Sequence, residues 1–307
     1  EQSSPIPARS TTSLRMGRLG YQSDAQSALA VSYNGLDGYA ASLQDALTRA
    51  YPPYEALGIV DAHGEYRQLS TSLLQIENEF YSTIRPKRVI RTGERPLHAL
   101  RERGVEYVEV RCMDLNPFLP VGIDASTARF LDIFLLHCLL SDSPPDTPQE
   151  IAALARNQQA VATRGREPGL RVERAGQPVL LMDWAREVLD GCLPMAEALD
   201  AVQGGVAHRE AWQAAATGLA EPALLPSARV VAAMQRDPAG GHAGFVVGQS
   251  RRLRAQLLAQ PLSAEVVARF AQQARESVEE QARVEAEDTL PFEVFRQQYV
   301  SPQRLVV

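Results

Sequence analysis

VEYVEVRCMDLNPF, residues 105 to 118, alternates like a strand and breaks at Asn116-Pro117. Side chains on a strand face opposite ways in turn, so Val105, Tyr107, Glu109 and Arg111 share one surface and Glu106, Val108, Val110 and Cys112 the other. The second surface is the apolar one, which predicts a sheet held to a core through Val108, Val110 and Cys112. The first carries Tyr107, Glu109 and Arg111 in a row, successive members about 7 Å apart at ordinary strand rise. On the residues alone, such a row is either a solvated face with a same-face ion pair or the wall of an active site.

The chain around this strand has 307 residues, 45% hydrophobic and 22% charged, close to globular averages and long enough for one large domain or two ordinary ones. A net charge of −6 with 31 dispersed Lys and Arg gives no basic footprint, so nucleic acid is not expected as a partner. The greasiest run, FLDIFLLHCLL at 130 to 140, falls short of the roughly 20 apolar residues of a membrane span and predicts a buried core helix. No secretory signal is visible at EQSSPIPARS, and a chain not opening on Met reads as a processed chain or a piece of a longer one. Cys112, Cys138 and Cys192 are odd in number and lack a CxxC, which predicts reduced core thiols in a cytoplasmic protein. No histidine stands at metal-ligand spacing from another or from a cysteine, and neither GxxxxGK[ST] nor GxGxxG occurs.

Along the chain, the first thirty residues lack periodicity and predict irregular backbone. Leu36, Tyr39, Ala40, Leu43, Leu47 and Ala50 then follow helical spacing, with Asn34 as the expected N-cap and Pro52 as a stop. A turn is expected at His63-Gly64, and Glu77 and Glu79 are read on one face of a short strand, within reach of Arg85, Lys87 or Arg88. Those three basic residues either face phosphates or hold their segment to the sheet, while Asp114 and Asn116 shape the turn before Pro117. Beyond Phe118 the pattern turns helical: a helix near 127 to 140 started at Asp124, irregular stretches at SDSPPDTP and GREPGLRVERAGQP, then helices near 183 to 202, 208 to 216, 227 to 235 and 244 to 259. A long helix capped by Ser263 follows, its charge run from Glu276 to Asp288 read as a solvated face.

TSLRMGRLGYQ (12–22), LQIENEFYSTIRPKR (74–88), GVEYVEVRCMDLNPFLPVGID (104–124) and REPGL (166–170) together resemble the bacterial glutamate-cysteine ligases of the proteobacterial type. The likeness is collinear through PSAR (226–229) and the double glycine at Gly240. It implies an α+β fold: part of a glutamine-synthetase-like antiparallel catalytic sheet before about residue 120, then a mostly helical region packed on it, with a boundary near 123/124. It also implies an ATP- and magnesium-dependent enzyme that joins the γ-carboxylate of L-glutamate to L-cysteine through an acyl phosphate, the first step of glutathione synthesis. Carried over residue by residue, Glu109 resembles a magnesium ligand, Arg111 a contact to the transferred phosphoryl group, and Arg15, Tyr21 and Tyr81 substrate-binding residues around cysteine.

Physical chemistry agrees with those roles. Magnesium prefers hard carboxylate and phosphate oxygens. Phosphoryl transfer depends on positioning and on countercharge, which a planar, permanently charged guanidinium supplies. The departure from the family is length: the chain matches roughly the C-terminal three-fifths of a typical member, judged by domain size. A separate N-terminal portion completing the sheet, and bringing further acidic metal ligands, is therefore an expected partner. The alternative is a non-catalytic helical binding or scaffold module of ligase ancestry.

Overall fold

The structure, a computed structural model, describes residues 10–17, 20, 23–26, 29–236 and 241–305, with the side chain of Asp24 outside the description. It is mostly helical with two small antiparallel sheets. Its chain order is α1 (Leu36–Thr48), α2 (Pro52–Leu57), β1 (Ile84–Lys87), α3 (Pro96–Arg103), β2 (Tyr107–Val110), α4 (Ala125–Leu140), α5 (Pro148–Arg164), β3 (Arg171–Arg174), β4 (Gln177–Leu180), α6 (Leu181–Gln203), α7 (Ala207–Ala220), α8 (Pro226–Arg236), α9 (Gly241–Leu258), α10 (Ala264–Glu287) and α11 (Phe292–Val300). The chain divides into two compact units: Glu1–Ser42, Tyr81–Arg85 and Glu109–Arg251 form one, and Leu43–Phe80, Pro86–Val108 and Arg252–Val307 the other. The units interleave along the sequence, so neither residues up to 123 nor those from 124 onward make a unit of their own.

In the first unit, α4, α6 and α7 bury Ile133, Cys192, Ala196 and Ala211 against Phe130, Phe134, Val188, Met195, Leu199 and Trp212. α4 starts where Asp124 accepts the Thr127 N–H, the cap its sequence predicts. The helix is only partly a core helix, since Leu139 and Leu140 at its end are exposed. The α6 to α7 corner is pinned by buried Asp200, which accepts the backbone N–H groups of His208 (2.8 Å) and Arg209 (3.1 Å) and the Arg209 Nε (3.0 Å). α5 is capped by Thr147 and tied to β3 by Asn157, whose amide donates to Glu173 O and accepts Glu173 N–H.

The stretch expected to be irregular, GREPGLRVERAGQP, holds the β3–β4 hairpin, with Arg171 opposite Leu180 and Arg174 opposite Gln177. Its two-residue turn needs left-handed backbone at Ala175 (φ 50°) and Gly176 (φ 74°), the twist that matches antiparallel strands. Four-residue strands are too short for their alternation to stand out.

The second unit buries Leu43, Leu47, Leu73, Leu74, Phe80, Leu97 and Leu100, and it also buries an ion pair. Arg95 and Glu77, 2% and 7% exposed, are joined by a 2.8 Å Nη2–Oε2 bond. Arg95 also donates to Tyr299 O (2.6 Å) and lies over the Tyr299 ring, while Glu77 accepts the Leu97 N–H. Glu77–Glu79 is a 3-10 turn, which corrects the expected strand: Glu77 pairs with Arg95, and Glu79 accepts the Gln75 N–H. The end of α1 is closed by the 71–74 segment, where Leu73 N donates to Arg49 O and Leu74 N to Ala46 O. α1 buries Tyr39, Ala40, Leu43 and Leu47 as the spacing predicts, and Ala46 besides, whereas Leu36 is half-buried and Ala50 is exposed beyond the helix end; Asn34 does not cap it, its amide donating to Asp146. The expected turn at His63-Gly64 is present, with Gly64 N donating to Asp61 O inside the Val60 to Tyr66 bridge. α10 is exposed along nearly its whole length, and its charge run is the solvated face expected, with Arg283 between Glu280 and Glu287. No described helix is long and apolar enough to cross a membrane.

Candidate active site

The strand expected at 105 to 112 is β2, paired with β1. Lys87 O accepts the Glu106 N–H and Thr83 O accepts the Arg111 N–H, both at 2.8 Å, so the two segments run antiparallel. Alternation puts Glu109 and Arg111 on one face, and there Arg111 Nη1 donates to Glu109 Oε1 at 2.8 Å, with both side chains half-buried. The apolar face is not packed as predicted: Val108 is 44% exposed, Cys112 is exposed and Val110 half-buried. The reason is architectural, since among the described residues this sheet has two strands. Sheets this small need a covering layer to bury a face fully.

Arg15 is brought to this strand by a stitched loop. On one side, the end of α5 holds it: Ala162 O accepts the N–H groups of Thr12 (2.9 Å) and Ser13 (3.2 Å), Val161 O accepts the Thr12 hydroxyl, and Arg166 donates to Ser10 O and Thr11 O. On the other side stands Asp114, just beyond β2. Its Oδ1 accepts the N–H groups of Leu14 (3.1 Å) and Arg15 (2.9 Å), and its Oδ2 accepts the Ser13 hydroxyl. Arg15 Nε then donates to Arg111 O at 2.5 Å. A Cβ at Gly20 would collide with the Arg15 carbonyl oxygen, so that position requires glycine.

Among the candidates, then, Arg15, Glu109 and Arg111 form one connected group. Tyr81 is 40% exposed, and its N–H is held by Gln26 Oε1 (2.9 Å). It precedes Thr83, the residue laddered to Arg111. Tyr21 lies outside the described residues. Of the basic cluster, Arg88 approaches Glu106 (3.6 Å) across the ladder, Arg85 is buried in β1, and Lys87 belongs to the same strand.

Asp114, expected to shape the turn before Pro117, instead gives its carboxylate to the 13–15 loop, while Asn116 shapes the turn, accepting the Phe118 N–H. The Pro117-Phe118 corner is fixed from the helical side. Gln249 donates to Pro117 O, and the Arg229 guanidinium sits 4.1 Å from the Phe118 ring centre. The cysteines are not all core thiols, since Cys138 is also exposed and only Cys192 is buried. Desolvation pushes the Cys112 thiol up, opposed by the nearby Arg15 charge, and pushes Cys192 to about 11, so neither is a ready nucleophile.

Whether Glu109 suits magnesium is a matter of donor chemistry. A carboxylate on a hydrogen-bonded strand beside a guanidinium offers the hard oxygen the ion prefers, but one carboxylate cannot fill an octahedral shell. The three-residue group that could converge on a cation among the described residues is Glu94, His98 and Glu102, in the other unit. That group is already neutralised: Arg103 clasps Glu94 with bonds of 2.8 and 2.7 Å and also reaches Glu102, and with the Arg91 N–H it holds the Glu94 carboxyl at about 2.

Comparison with known proteins follows the same lines. The glutamate-cysteine ligase family model matches residues 2–161. The chain is 49% identical over 284 residues to the glutamate-cysteine ligase of Pseudomonas paraeruginosa, covering 92% of this chain and 53% of that protein. It is 47% identical over the same length to the ligase of Azotobacter vinelandii, with the same coverage. A crystal structure of the glutamate-cysteine ligase of Francisella tularensis in complex with AMP superposes with a TM-score of 0.87 at 34% identity, covering 95% of this chain and 57% of that one. The chain thus spans about half the length of the curated relatives it matches. With the family pattern running through the loop of Arg15 and the strand of Glu109 and Arg111, and on to the end of α5, this chain belongs to the glutamate-cysteine ligase family.

Proposed function

We propose that this chain carries the cysteine-side and phosphate-side portion of a glutamate-cysteine ligase active site, acting in the cytoplasm on L-glutamate, L-cysteine and ATP. The observation that carries the reading is the connected group in which the Arg15 guanidinium is seated on the carbonyl of Arg111, itself paired with Glu109. In the reaction, a γ-carboxylate oxygen of glutamate attacks the terminal phosphorus of ATP and ADP departs. The amine of cysteine, having lost a proton, then attacks the acyl carbon, and inorganic phosphate leaves as the amide forms.

Arg111 supplies countercharge to the phosphoryl oxygens as charge redistributes over them, and its fixed plane suits two oxygens at once. Arg15, Tyr21 and Tyr81 bind and orient cysteine, so that its nitrogen is presented to the acyl carbon instead of water. Glu109 would provide one ligand to magnesium, which when bound would supply positive charge to offset that of the phosphates. One carboxylate does not complete the shell, so the remaining ligands would come from ATP and from outside this chain, which spans 53% of the Pseudomonas paraeruginosa relative. We infer that the β1–β2 pair belongs to a larger antiparallel sheet in the assembled protein, a view supported by the exposure of Tyr107 and Val108.

The test is ADP release with glutamate, cysteine and Mg-ATP, measured for this chain alone and with the remaining portion of a close relative supplied as a second polypeptide. Cysteine-dependent turnover in the second arrangement supports the reading. A chain that pairs stably with that portion and yields no turnover is a scaffold of ligase ancestry.

A further inference from the structure

Asp114 lies in no core and no turn, yet both its oxygens are committed to a loop 99 to 101 residues away in sequence. The α5 side of the stitching reaches residues 10 to 13, and Asp114 accepts the backbone N–H groups of the next two, Leu14 and Arg15. Arg15 is therefore gripped twice by one four-residue segment. Its backbone N–H is held by the Asp114 carboxylate, and its Nε by the carbonyl of Arg111. A long side chain fixed at both root and head loses most of its rotamer freedom before any substrate arrives. Because that segment also carries Arg111 and continues from Glu109, Arg15 cannot shift without the phosphate-side residues shifting too.

We propose that Asp114 is a positioning residue, whose carboxylate holds Arg15 in register with the Glu109 and Arg111 strand so that bound cysteine faces the acyl phosphate. The proposal rests on the ligase reading above. A carboxylate accepting two backbone N–H groups and a hydroxyl makes charge-assisted bonds that its removal leaves unmade. Asparagine keeps one acceptor oxygen and loses the charge, and Ser13→Ala removes a single bond, so the three changes form a graded series.

The experiment pairs two readouts on Asp114→Ala, Asp114→Asn and Ser13→Ala. In this chain, amide hydrogen exchange at Leu14 and Arg15 should quicken most in Asp114→Ala, less in Asp114→Asn and least in Ser13→Ala. In the assembled enzyme, KM for cysteine should rise in the same order, by about tenfold for Asp114→Ala, with KM for ATP within about twofold of the parent, as for loss of pre-orientation at one substrate. Unchanged exchange overturns the clamp, and quickened exchange with unchanged cysteine KM overturns the positioning role. Should Asp114→Ala fail to fold, the other two variants decide by the same criteria. A parent enzyme with no cysteine-dependent turnover sinks the ligase reading and this role with it, and exchange data then show whether the clamp is purely structural.

Discussion

At residue scale, the sequence was read most securely where geometry is local. Alternation alone put Glu109 and Arg111 on one face, and their 2.8 Å pair is what that alternation produces. What alternation could not reveal was the grip of Asp114 on Ser13, Leu14 and Arg15, because nothing in either segment marks a partner about a hundred residues away. Glu77 was misplaced for the same reason, its partner being Arg95, whose only local signal was a charge before Pro96. A ligase site here implies three residue-level outcomes. Arg111→Lys should lower kcat by on the order of 10²-fold with little change in cysteine KM, because a point charge cannot replace a planar fork at the phosphoryl oxygens. Glu109→Gln should move the magnesium midpoint of activity to higher concentration and lower kcat, whereas Tyr81→Phe should mainly raise KM for cysteine. Steady-state kinetics over a magnesium titration check all three; equal, mild effects would mark these residues as structural.

At element scale, helices with strong period and caps were legible: Asp124 starts α4 and Ser263 starts α10 as their sequences predict. The short elements were not, since the β3–β4 hairpin offers four residues a side and α2 begins at Pro52, which looked like a stop. Buried polar anchors then decide stability. Glu77→Gln strands the Arg95 guanidinium in the second unit and should cost about 3–5 kcal/mol in denaturant unfolding, the range for breaking a buried pair from one side. Asp200 gives a pH signature at the α6 to α7 corner. Burial pushes its carboxyl up, but the His208 and Arg209 N–H groups and the Arg209 guanidinium outweigh that and hold it at about 2, against an ordinary 3.8. A carboxyl depressed on folding stabilises fully above its unfolded value, and that stability is lost as pH falls through the folded one. Melting temperature should therefore fall between about pH 4 and pH 2 through this corner. Asp200→Asn should lower the melting temperature at neutral pH and flatten its dependence over that window.

At the scale of the whole molecule, one unit holds Arg15, Tyr81, Glu109 and Arg111, and the other holds the buried pair of Arg95 and Glu77. The interleaving of the two was invisible in sequence because segments such as Tyr81–Arg85 join a unit through pairing with distant strands, not through composition. Three of the family's motifs meet in segments that the structure stitches together: residues 12–15, the end of β2 and the turn after α5. On the proposed function, this stitched group is one part of a ligase site. The most direct test is cysteine-dependent ADP release from glutamate and Mg-ATP, with this chain and the remaining portion of a close relative combined. Turnover is expected in the combination and is expected to be lost with Arg111→Ala; turnover indifferent to Arg111, or none from a stable combined complex, would overturn the ligase role.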